Sequence, residues 1–397
     1  MSFNRLNQKT IIFIIIALTN LSNIAVHTTY YLYLTRELGL SNTASLGLDA
    51  PTFITNIIFE VPTGIWGDRY GYKKSFLVSV GLNILASILY FIGGSYFLLV
   101  LGSIVFGLGL AFASGSFDAL CIENNEEDLK SFYMNKQVII RVSTIIAPIL
   151  AYFLASITSF RFVYILDILL KGLIFVFALK FLHESVNLKK DLTAGITYLL
   201  KGWKEVVQTI KESTYLKLQA VASFIWGFSV PTYATTSSVL ALSGNANLNG
   251  IIYSITSATG LATVVIAKKI KNMRFMYWAS FMWYVAFSTL IGIFIGKEIV
   301  LPLFVIACLF SSTHEILYDT FFNSQLKKNK AGVLSLFALF PRISNILAVF
   351  ISGYISDHLG LGPLWIFTGV LLSIVGVFLY IESRLIVFPK SIESNMG

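Results

Sequence analysis

The chain has 397 residues; 56% are hydrophobic, 12% are charged, and the formal net charge is +9. The charged share is about half that of a soluble domain, and the mean hydropathy is +0.77. This excludes a soluble enzyme, a disordered tail and a disulfide-stapled secreted domain, because only a bilayer accommodates so much apolar surface.

Apolar runs long enough to cross ~30 Å of hydrocarbon fall at roughly 11–34, 46–66, 75–93, 97–122, 136–157, 162–181, 214–238, 250–268, 275–296, 299–322, 332–356 and 363–386. The expected fold is an all-α membrane protein with twelve transmembrane helices in two pseudo-symmetric six-helix bundles. The first run is too long for a signal-peptide core and no small-residue cleavage site follows it, so it reads as the first span. Cys121 and Cys308 sit inside apolar runs and suggest neither a disulfide nor a metal pattern.

The basic residues orient the spans. With both termini placed in the cytoplasm, only Arg36, Arg161 and Lys297 of the 29 Lys and Arg face outward, and Arg141, Lys171 and Arg342 fall within spans. The rest face inward, as the positive-inside rule requires. The excess positive charge thus marks orientation rather than nucleic-acid binding.

Between spans 2 and 3 the chain reads Gly64-Ile65-Trp66-Gly67-Asp68-Arg69-Tyr70-Gly71-Tyr72-Lys73-Lys74. Gly64 and Gly67 permit a neighbouring helix to approach and Gly71 permits a tight turn. Asp68 suits a helix N-terminus, and Arg69, Lys73 and Lys74 hold the loop on the basic side. Span 2 carries Glu60. Span 4 carries Ser114-Gly115-Ser116-Phe117-Asp118-Ala119-Leu120 and ends on Glu123; span 5 opens with Arg141.

In span 6, Asp167 and Lys171 are four residues apart and can neutralise each other as a structural pair. The polar stretch 183–213 divides an N-terminal bundle, 1–182, from a C-terminal one, 214–397. It includes an amphipathic segment, Leu192 to Glu212, expected to lie at the membrane surface. One shift of the chain lays Asp118 on Asp319, Arg141 on Arg342, Ser143 on Ser344 and Tyr164 on Trp365, as an internal repeat would. Asp118–Arg141 and Asp319–Arg342 are the expected intramembrane pairs, since an unpaired charge there costs ~2.5–3.5 kcal/mol. Clamping ion pairs and direct substrate or proton handling both suit them. Glu315 lies one turn before Asp319, an arrangement that suits reversible protonation or a solvated exit. His27 and His314 are also embedded; hydrogen-bonded packing is their simplest role.

No GxSxG or GxxxxGK[ST] occurs, and Tyr318 stands where an HExxH zinc motif beginning at His314 needs its second histidine. The sequence therefore suggests neither an enzyme, a metal site nor a cofactor. Gly353, Asp357 and Gly360 repeat the spacing of Gly64, Asp68 and Gly71, but parity puts them on the outer side, where they are expected to form a turn.

The 64–74 loop resembles the signature of the major facilitator superfamily; Gly64, Asp68, Arg69, Gly71, Lys73 and Lys74 match it, and Tyr72 replaces a usual basic residue. Phe59-Glu60-Val61-Pro62-Thr63 and the 114–120 string look like a bacterial drug-exporter branch, although Pro148 lacks the glycine of the antiporter signature. The resemblance implies a multi-pass carrier of the cell membrane that alternates access. Asp68 would lock one state, and Arg69 or Lys73 would meet Glu123. Spans 1, 4, 7 and 10 would line the cavity, with Asn23, His27, Tyr30, Trp226 and Tyr233 as candidates. The expected activity is proton-coupled efflux of a small amphiphilic or drug-like compound by a monomer, with the substrate, protons and the bilayer as partners and no nucleic acid. Solute uptake and a non-transporting receptor are the alternatives.

Overall fold

A computed structural model describes residues 8–114, 116–123, 129–182, 207–244, 248–267, 272–325 and 330–385. Every regular element among them is helical. The amphipathic segment expected between 192 and 212 lies largely outside the described residues; 207–212 are helical.

The chain packs into two compact units. The first comprises Met1–Leu40 and Gly47–Gly195; the second comprises Ser41–Leu46 and Ile196–Gly397. In the first, α1 (Gln8–Leu32) runs into a π-helical turn at Tyr33–Glu37. α3 (Asp49–Tyr70), α4 (Tyr72–Ile92), α5 (Tyr96–Ala113), α6 (Ser116–Glu123), α7 (Leu129–Ile157) and α8 (Phe162–Phe181) follow, while α2 (Asn42–Gly47), which precedes α3 in the chain, belongs to the second unit in all but Gly47. α1 packs on α7 and α8, α4 on α5 and α8, and α3 on α5. The last contact is tied by side chains. Thr52 Oγ1 donates to the Ser103 carbonyl at 3.2 Å and Thr63 Oγ1 to that of Ala111 at 2.8 Å. Such bonds matter between helices in lipid, where water offers no competing partner.

The second unit contains α9 (Thr214–Gly227), α10 (Val230–Ala234), α11 (Thr236–Ser243), α12 (Asn249–Ala267), α13 (Met273–Ile293), α14 (Val300–Gln325), α15 (Lys330–His358) and α16 (Leu361–Leu385). α13 packs on α14 and α16, α12 on α14, and α9 on α15 and α16. The seventh span, expected to be continuous over 214–238, is broken into three helices. Pro231 stands in the first turn of α10. It has no amide hydrogen to donate to a preceding turn, so the ladder restarts there. The first span likewise ends in a π turn rather than a plain α-helix.

Nine helices among the described residues are long and apolar enough to cross a membrane. Phe153, Leu169 and Val370 are more than half exposed. In a water-soluble protein that would be a liability; in this composition it is the lipid-facing surface.

Candidate functional site

The segment expected as a loop over 64–74 is instead the last turns of α3 and the first turn of α4, with Gly71 alone between the two helices. Gly71 sits at φ +109°, a backbone that L side chains rarely adopt, and closes the turn with its amide on the Gly67 carbonyl at 2.9 Å. Asp68 is exposed and accepts the Tyr72 hydroxyl at 2.8 Å. Lys73 Nζ donates to the Leu179 carbonyl at 3.0 Å, tying the segment to the end of α8. Arg69 lies over the Tyr70 ring, 5.2 Å from its centroid, and Lys74 is exposed. The expectation for Gly64 needs correcting: a Cβ there would meet nothing within 4 Å, and one at Gly67 would make only ordinary contacts with Ser75 and Tyr72. The polar threonines of α3, not these glycines, mark its contact with α5.

Glu60 Oε1 accepts the Ser114 hydroxyl at 3.2 Å, joining α3 to the residue where α5 ends. The side chains of Asp118, Glu123 and Asp319 lie outside the described residues, so neither expected pair, nor the expected contact of Arg69 or Lys73 with Glu123, has a described geometry. Arg141 and Arg342 are half-buried on α7 and α15. Asp167 and Lys171 do form the expected pair, 2.7 Å apart and buried. The hydroxyls of Ser22 and Ser87 complete it, donating to Oδ1 and Oδ2 respectively. Both oxygens of that carboxylate are engaged.

Of the cavity candidates in the first unit, Asn23 and His27 are exposed on α1. Tyr30 is held by Tyr90, hydroxyl to hydroxyl at 3.2 Å, and Tyr90 by Ser103 at 2.6 Å. Tyr164 stacks on Tyr90, and its own buried hydroxyl has no partner among the described residues.

The second unit holds a half-open cavity of about 370 Å³, within the range of small-molecule sites. α9, α13, α14, α15 and α16 all contribute to its wall. Trp226, Phe281, Tyr318 and Phe337 make it aromatic, while Gln219, His314 and Glu315 supply its polar groups. His314 Nδ1 is 2.9 Å from the Tyr277 carbonyl. A carbonyl only accepts, so Nδ1 carries the proton and Nε2 is the free ring nitrogen. The ring stacks on Tyr277 with centroids 5.2 Å apart. Tyr233 is edge-on to Trp365 and is not among the residues that line the cavity.

Sequence patterning singles out neither Glu382 nor Gln219. Glu382 is fully buried on α16; Gln219 Nε2 donates to its Oε2 and the Tyr277 hydroxyl reaches the same oxygen at 3.4 Å, while Oε1 has no partner among the described residues. A carboxyl near the end of the last apolar run gives no signal of burial by itself, and only the tertiary fold encloses it.

Gly353 and Asp357 are not in a turn as expected. They lie on the last turns of α15, and the turn falls at Gly360, φ +95°. The two Asp357 carboxylate oxygens accept the amides of Asn42 and Thr43 at 2.7 and 2.9 Å, satisfying donors that a helix start leaves open.

The major facilitator superfamily model matches residues 12–348. The chain belongs to this superfamily. It is 25% identical over 362 residues to an uncharacterised transporter of the major facilitator type, YxaM, from Bacillus subtilis (strain 168), covering 86% of each chain. Among solved structures, it is similar to a mutant of the nucleoside transporter NupG, with a TM-score of 0.80, 13% identity, and 95% of this chain and 100% of that one covered. A POT family transporter in complex with 5-aminolevulinic acid gives a TM-score of 0.76 at 13% identity, covering 98% of each chain. The solved structures show the fold; the family match makes the chain a membrane transporter rather than an enzyme.

Proposed function

We propose that this major facilitator protein exports a small amphiphilic, cationic compound in exchange for protons, by alternating access across the cell membrane. The observation that carries the reading is the cavity of the second unit. Its aromatic faces attract an organic cation, and Glu315 and His314 stand on its wall, within reach of a bound amine. A cavity of about 370 Å³ excludes macromolecular cargo.

The reading takes the protein as a monomer with both termini cytoplasmic, as the Lys and Arg distribution favours. It takes 1–182 and 214–397 as bundles joined by 183–213, with twelve spans in all. Gly64, Asp68, Arg69, Gly71, Lys73, Lys74 and Glu123 act as its gate. Asp118, Arg141, Asp319, Arg342 and Glu60 are charges that exchange partners as the state changes. The 59–63 and 114–120 strings favour the outward direction.

Reconstituted protein in liposomes with an imposed pH gradient tests this. A panel of lipophilic amines should move against the protons, and Trp226→Ala should weaken their binding. Movement in the same direction as protons would overturn export; flux indifferent to the gradient would overturn coupling.

A further inference from the structure

Two carboxyls, each fully buried among the described residues, are built in opposite ways. Asp167 has a lysine ammonium at 2.7 Å and a serine hydroxyl on each oxygen. Glu382 is equally buried, yet it makes no ion pair with any described residue. Arg384, on the same helix, is exposed and donates to the Tyr380 hydroxyl at 2.8 Å. The groups around Glu382 are neutral: Gln219 and Tyr215 on α9 and Tyr277 on α13. Beyond them, on α14, stand His314, Glu315 and Tyr318. An ionised carboxylate with one oxygen unpartnered and no counter-charge among the described residues is costly in such a place. A carboxyl that takes up a proton removes that cost.

Gln219 connects this carboxyl to the cavity. It lines the cavity, and its Nε2 donates to Glu382 and, at 3.2 Å, to the Tyr277 hydroxyl oxygen. With the nitrogen committed there, the amide oxygen is the end left for a ligand. With the proton on Oε2, the oxygen that Gln219 touches, the preference reverses: that hydroxyl donates, so the Gln219 oxygen turns toward it and the NH₂ turns toward the cavity.

We propose that Glu382 is the proton-binding carboxyl of this carrier, and that its protonation state selects which end of the Gln219 amide meets the ligand. With Glu382 ionised, Gln219 offers a carbonyl oxygen to a ligand ammonium. When Glu382 gains a proton, Gln219 offers N–H donors and the ammonium loses its acceptor. Proton binding and cation binding then exclude one another, which is the requirement for exchange. This rests on the reading of the chain as a proton-coupled carrier, and deepens it by naming the group and the relay.

The test has two independent readouts. Infrared difference spectra of the purified protein should show a protonated-carboxyl stretch that titrates away at alkaline pH and is missing in Glu382→Gln; no such band, or one that survives the substitution, overturns the proposal whether or not the protein transports. In liposomes, Glu382→Gln should lower gradient-driven amine flux at least about tenfold, the worth of one pKa unit of coupling, while amine–amine counterflow persists. Equal loss of both, or of neither, also overturns it. Gln219→Met, which keeps the carboxyl, should retain the band but lose gradient-driven flux; full flux in this variant removes the relay. Wild-type protein that shows the band but no gradient-driven flux would overturn proton coupling as the function and leave Glu382 as a proton site.

Discussion

Replacing Gly227 with alanine tests how tightly the cavity wall is packed. Gly227 is the last residue of α9, beside Trp226, and faces α15. A Cβ built there would lie 1.9 Å from Ser344 Oγ, 2.4 Å from the Pro341 carbonyl oxygen and 2.7 Å from Pro341 Cα. The serine hydroxyl can rotate away, since its bonds to the Phe340 and Pro341 carbonyls are both 3.2 Å. The Pro341 backbone cannot. Restoring an ordinary contact of about 3.4 Å therefore requires the two helices to part by roughly 1 Å, a gap that forfeits a quarter to a half of the dispersion well for facing atoms. Overpacking of this kind costs about 1–3 kcal/mol. The site is at a helix end, so the propensity gain of alanine over glycine, at most about 1 kcal/mol, offsets it only in part. A net loss of about 1–2 kcal/mol should lower the Tm of the detergent-solubilised protein by about 2–8 °C, taking the scale for a unit of some 200 residues. Because Trp226 and Pro341 both line the cavity, amine binding should weaken as well. Gly64→Ala is the control: nothing lies within 4 Å of its Cβ, so its Tm should not fall. If Gly227→Ala melts at or above wild type, or if both glycines respond alike, the close-approach argument fails.

The buried pair of the first unit should behave as a unit. Lys171→Met and Asp167→Asn should each cost about 3–5 kcal/mol in chemical denaturation, and the double variant should recover most of it; additive losses would show that the pair does not interact. Asp357→Ala removes the acceptor of two helix-start amides and should cost about 1–2 kcal/mol in the same assay, whereas Asp357→Asn, which keeps one acceptor oxygen, should cost less. Asp68 is exposed and accepts only the Tyr72 hydroxyl among the described contacts, so Asp68→Asn should leave Tm unchanged while slowing flux; undiminished flux would remove its gating role. Exchanging the charges of Asp118 and Arg141 together should impair transport less than either single reversal, and a double variant no better than the singles would refute their pairing.

Much of the architecture is legible from hydropathy because lipid leaves the backbone one solution, the helix with all its bonds internal. The Asp167–Lys171 pair is legible for a similar reason: the spacing of four fixes both residues on one helix face before any packing is known. The break in the seventh span is less so, because Pro231 sits inside an apolar run and its effect depends on where the preceding turn ends. Glu382 is invisible at this level. Its partners Gln219 and Tyr277 are 163 and 105 residues away, and only their convergence separates a buried carboxyl from a solvated one near a helix end. The aromatic candidates divide on the same ground. Trp226 lines the cavity and Tyr233 does not, although the two rings are only 6.4 Å apart, and no periodicity distinguishes them across a broken helix.

The Asp357 contact sets an order of assembly. The amides of Asn42 and Thr43 leave the ribosome first, and the carboxylate that receives them follows 315 and 314 positions later. Until α15 is made, the start of α2 has no side-chain acceptor from that quarter, and the six residues Ser41–Leu46 belong to a unit that does not yet exist. A fragment beginning at residue 214 would carry Asp357 without its donors. Supplying the N-terminal half as a separate chain would return them, so the two halves should mature together more readily than the second can alone.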